Sequence, residues 1–78
     1  MVPMTLMWEV RAADGRLDEL VAYVSAHADP CAQVLRSDGD EPRVVVIDPT
    51  GHGVADVPSD LVARAPHVWL FEPVTRDR

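Results

Sequence analysis

Four consecutive residues, Val44-Val45-Val46-Ile47, are all apolar. A β-strand turns successive side chains to opposite faces, so a strand through this run offers apolar surface on both. A sheet with one face in water would instead alternate apolar and polar residues along each strand. The same doubling occurs at Leu6-Met7-Trp8 and from Val68 to Phe71. Helices connecting such strands shield one face only. The other face needs cover from elsewhere, and the expected cover is a second protomer.

Chain length points the same way. The 78 residues are expected to form one domain over 1–78, with a tail at 75–78. A domain this small buries only about 60–65% of its unfolded surface, so a disulfide, a metal or an oligomer usually supports it. The single cysteine, Cys31, excludes an internal disulfide. His27, His52 and His67 do not stand in zinc-like spacing with paired cysteines, and no metal site is read. Oligomerisation is the remedy left, and a homodimer is expected.

The formal net charge of −6 argues against nucleic acid and anionic lipid as partners. All seven basic residues are arginine, and neither lysine nor asparagine occurs, as in a genome rich in GC codons. Schiff-base lysines, phosphate-loop lysines and asparagine ligands are thereby removed. Met1 to Trp8 is apolar but meets Glu9 and Arg11 at once, which fits neither a leader peptide nor a membrane span. A cytoplasmic location is expected.

The pattern predicts a strand over Met4–Arg11, stopped at Ala12-Ala13-Asp14-Gly15, with Asp14 or Gly15 capping the following helix. From Arg16 to Ala28, the residues Leu17, Leu20, Val21, Val24 and Ala28 form one helical stripe, with Asp18 and Glu19 in the first turn. Asp29-Pro30 ends it. Cys31–Arg36 and Arg43–Asp48 read as strands around an Asp38-Gly39 turn, and 49–58 as loop. Ser59 is expected to cap a short helix over Asp60–Ala65, closed by Pro66 before a last strand, His67–Val74. The order strand, helix, strand, strand, helix, strand is that of an α+β, ferredoxin-like βαββαβ fold with a four-stranded antiparallel sheet.

A strand, then Gly15-Arg16-Leu17-Asp18-Glu19-Leu20 opening an amphipathic helix, then Cys31-Ala32-Gln33-Val34 entering a hairpin, resembles the antibiotic-biosynthesis-monooxygenase-like proteins. It covers residues 4–48 and, loosely, the closing strand. It implies a dimeric α+β barrel, two sheets face to face, with cofactor-free monooxygenase-like chemistry or a small apolar or aromatic ligand. The chain departs from that family in its second helix, which is reduced to a Gly/Pro loop and about two turns. It also lacks the asparagine of the haem-degrading branch. Ala13-Asp14-Gly15-Arg16-Leu17 resembles, one residue short, the ligand loop of ACT regulatory domains, which implies a non-catalytic, partner-binding accessory dimer.

Trp8, Trp69, His67, His52 and Arg64 each have two readings. Trp8 and Trp69 lie on strands that neighbour one another in this order, so their indoles are expected either to wall a flat apolar ligand or to pack a core or interface. His67 shares parity with Trp69 and Phe71, and is either a catalytic proton-transfer group or a histidine bonded to backbone. His52, in Thr50-Gly51-His52-Gly53, is a ligand or lid residue or a plain loop residue. Arg64 pairs with a ligand carboxylate or with Asp60 one turn back. His27 suits a helix C-terminus, and Cys31 is expected to be a small buried residue. No catalytic triad, phosphate loop or paired carboxylate is legible, and no cofactor is implied.

Overall fold

The computed structural model describes residues 4–76. Four strands, β1 (Thr5–Arg11), β2 (Gln33–Ser37), β3 (Arg43–Asp48) and β4 (His67–Phe71), form one antiparallel sheet in the order β2-β3-β1-β4. One α-helix, α1 (Leu17–His27), packs on it, making a small α+β domain. The strand order is compatible with a ferredoxin-like arrangement. The tail expected at 75–78 falls partly on residues 77 and 78, which lie outside the described residues, as do 1–3 at the start.

Helix α1 forms where the apolar stripe predicts it. Leu20 and Val24 are fully buried, while Asp18 and Glu19 occupy the first turn. Its cap differs from expectation. Arg16 is the N-cap and no side chain caps the helix; the Arg16 guanidinium instead holds Glu19 at 2.7 Å. The chain leaves α1 through a turn at Asp29, whose Oδ1 accepts from the Cys31 N–H at 2.8 Å, so β2 begins at Gln33 rather than at residue 31.

The expected helix over 60–65 is a single 3₁₀ turn at Ser59–Leu61, with no side-chain cap from Ser59. The backbone gives the reason. The Ala13 N–H donates to the Leu61 carbonyl and the Ala63 N–H to the Arg11 carbonyl, both at 2.9 Å. Val62 forms a bridge to Ala12. The main chain at 61–63 finds its hydrogen bonds in the end of β1 and has no need of a helix to satisfy them. Leu61 alone anchors the turn in the core.

Register decides which side chains share a face. Leu6, Trp8 and Val10 of β1 point with Val44, Val46 and Asp48 of β3 toward α1 and are buried. Trp8 opposes Val68 and Leu6 opposes Leu70, so these two β4 residues face the same side. Met7, Glu9, Val45, Ile47, Leu35, Trp69 and Phe71 occupy the opposite face, which no helix covers among the described residues. Among the described residues, α1 lies over β3 and β2 and does not reach β4.

Candidate functional site

A strand at the edge of a sheet has one bare backbone side, and natural edges are commonly blunted by charge or proline. β2 is such an edge: Arg36 is tied to Asp18 at 3.0 Å and to Asp38 at 2.9 Å. β4 is not blunted. All five of its residues are exposed, including Val68 at 53%, Trp69 at 44%, Leu70 at 58% and Phe71 at 51%. Apolar surface is therefore bare on both sides of one strand, Val68 and Leu70 on one and Trp69 and Phe71 on the other.

On the α1 side, a cleft of about 500 Å³ lies between β1, β4 and the loop over 52–66. Its apolar lining includes Leu6, Trp8, Val54, Val57, Val62 and Val68, with His52 and Asp56 as its ionisable groups. The volume falls within the range of small-molecule sites. The facing loop is built, not slack. Asp48 is fully buried at the end of β3. Its Oδ1 accepts from the Thr50 N–H at 2.8 Å and from the Thr50 hydroxyl, and its Oδ2 from the Gly53 N–H at 2.9 Å. Burial pushes the Asp48 carboxyl up, but the bonds from the Thr50 hydroxyl and from the Gly53 and Thr50 N–H groups outweigh it and hold the pKa below the ordinary carboxylate value.

Further along the loop, the Tyr23 hydroxyl of α1 lies 2.8 Å from the Asp56 carbonyl and 3.1 Å from that of Ala55, which fastens the cleft wall to the helix. Asp56 between these anchors has φ 59°, left-handed for a non-glycine residue. At Gly53, φ is 71° and an added Cβ would stand 3.3 Å from Leu6 Cδ2, so glycine lets the loop close onto β1.

On the open face, charge sits within the apolar surface. Glu9 is 6% exposed, its Oε2 3.1 Å from Arg43 and its Oε1 3.5 Å from His67 Nδ1. Glu41 accepts from both Arg43 and Arg11 at 2.8 Å, completing a chain of alternating charge across the sheet. Glu9 and Arg43 were not among the candidates read from the sequence. Their signal was present: Glu9 is an acidic residue inside the apolar run of the first strand.

The candidates separate into two groups. Trp8 is 2% exposed and lines the cleft with His52. Trp69 opposes Met7, not Trp8, so the indoles stand on opposite faces and do not flank one ligand. His67 meets Trp69 edge-on, ring centres 5.7 Å apart, on the open face. His52 Nδ1 lies 3.0 Å from the Thr50 hydroxyl. Arg64 is exposed, and Asp60, its expected partner, lies 3.4 Å from Arg16 instead. Cys31 is exposed, not buried, because the turn at Asp29 keeps it out of β2. Among the described residues, no helix is long and apolar enough to cross a membrane. Comparison with protein-family models, with curated proteins and with solved structures found no match to this chain.

Proposed function

We propose that this chain is a ferredoxin-like homodimeric binding module of the α+β-barrel kind, akin to the antibiotic-biosynthesis-monooxygenase-like proteins, which holds an apolar guest in its β1–β4 cleft. One observation carries the reading: β4 is apolar and exposed on both faces. A second copy over the open face covers Trp69, Phe71 and Leu35. A guest in the cleft covers Val68 and lies against Trp8. Burial of apolar area at about 25 cal/mol per Å² favours both contacts. The module works in the cytoplasm, where an exposed single thiol stays reduced.

The cleft itself favours binding over catalysis. Its ionisable groups, His52 and Asp56, are both exposed, and His67 stands on the other face. The Glu9–His67 pair beside Trp69 favours a second reading, a cofactor-free oxygenase-like enzyme working between two facing sheets with His67 as proton acceptor.

Paired variants test the proposal. At about 50 µM, an interface worth roughly 6 kcal/mol is half assembled. Wild type is expected to sediment as a dimer and to bind naphthalene saturably. Trp69→Glu should sediment as a monomer and keep naphthalene, while Val68→Glu should keep the dimer and lose naphthalene. A monomeric wild type contradicts the dimer, and binding that survives Val68→Glu contradicts the cleft.

A further inference from the structure

An α-helix is about 10 Å across and neighbouring strands are about 4.8 Å apart, so one helix shields about two strands. α1 takes β2 and β3. On the same side β4 has no helix over it among the described residues, while Leu6 and Trp8 of β1 are already buried. There the chain supplies only the 3₁₀ turn at Ser59–Leu61 and the loop pinned by Asp48 and Tyr23. The result is a groove whose exposed floor is Val68 and Leu70 of β4, with Leu6 and Trp8 buried at its base and Val57 and Val62 along its wall.

We propose that this groove receives an amphipathic helix of a partner protein, apolar toward β4 and the loop wall and basic on its outer face. The proposal rests on the reading of the cleft as a site for an apolar guest and names that guest. Shape supports it first. The apolar surface does not stop at the cleft but continues to Leu70, exposed at 58% and opposite Leu6. A compact small molecule seated on Trp8 leaves Leu70 bare, whereas a helix laid along β4 covers Val68 and Leu70 together. Such docking reads as apolar anchors at helical spacing.

Charge supports it second. Asp56 lines the groove, and Glu72 follows Leu70 by two residues. Arg64 and Arg76 make no ion pair among the described residues, whereas Arg16 is held by Glu19 and Asp60. With a net charge of −6, the surface steers a basic segment in and an acidic one away.

The test uses the full chain and two fluorescein-labelled synthetic helices of about 18 residues, each with a leucine face, one otherwise lysine-rich and the other glutamate-rich. Fluorescence anisotropy is expected to show saturable binding of the lysine peptide and none of its glutamate twin. Val68→Glu and Leu70→Glu should each weaken that binding at least ~10-fold, although both add negative charge that favours a basic peptide. Both positions are more than half exposed, so the fold tolerates the change. Leu35→Glu, on the opposite face, should leave the affinity within about twofold. Lysine-peptide binding that survives both groove variants is charge attraction alone and overturns the proposal. Saturable naphthalene binding without peptide binding overturns the helix and leaves the cleft standing. Binding of neither overturns both.

Discussion

Asp48→Ala is expected to destabilise the domain by roughly 2–6 kcal/mol, about 1–3 for each of the two backbone N–H groups, of Thr50 and Gly53, that lose their acceptor. Small domains have about 5–15 kcal/mol in total, so the variant approaches global unfolding. Asp48→Asn keeps the shape and one acceptor oxygen and should lose less. The carboxylate also sets a pH dependence. Its folded-state pKa is held below the ordinary value, so its contribution is complete above the unfolded carboxyl pKa, about 3.9. That contribution is lost as pH falls through the lower, folded-state value. Urea midpoints should therefore be insensitive to Asp48 from pH 7 to about 5 and fall in stronger acid. The acid-induced fall should be smaller in Asp48→Asn. An Asp48→Ala variant as stable as wild type would show that the loop over 48–57 holds itself without the carboxylate.

Trp8→Ala should cost about 3–5 kcal/mol, the usual loss when a buried tryptophan is truncated. Trp8 is 2% exposed and packs in the core cluster with Leu6, Leu20, Val24, Val46, Val54 and Leu61. Its removal joins the space it vacates to the cleft, so the surrounding side chains cannot simply collapse inward. With a urea m-value near 1 kcal/mol/M for so small a domain, the midpoint should fall by about 3 M or more. Trp69→Ala, at a side chain 44% exposed, should move it far less in the monomer. Equal losses at the two indoles would contradict their assignment to a buried and an open face.

The helix and the strands were legible because their signals are local and strong. The stripe from Leu17 to Val24 admits only a helix, and the run over 44–47 reads as a strand. The uncovered second face was legible too, since Val45, Ile47, Trp69 and Phe71 had to point somewhere other than toward α1. The pairing of the indoles was not. It depends on whether Trp69 opposes Met7 or Trp8, and one residue of register moves a side chain to the other face. Nothing local to either strand specifies that offset. The second helix failed for a different reason. Backbone groups at 61–63 bond to the end of β1, a tertiary partner invisible in the sequence. The role of Asp48 had a local trace in Asp48-Pro49-Thr50-Gly51, the residue types of a side-chain-stabilised turn. Its full burial could be seen only once β3 was paired on both sides.

The central claim is that the β1–β4 half of the sheet is a binding surface. Methyl-labelled protein titrated with naphthalene and followed by NMR tests it most directly. The account predicts saturable shifts at Leu6, Val54, Val57, Val62 and Val68, with Leu35, Val45 and Ile47 on the opposite face unmoved. Shifts confined to Leu35, Val45 and Ile47, or no saturable shift at all, would contradict it.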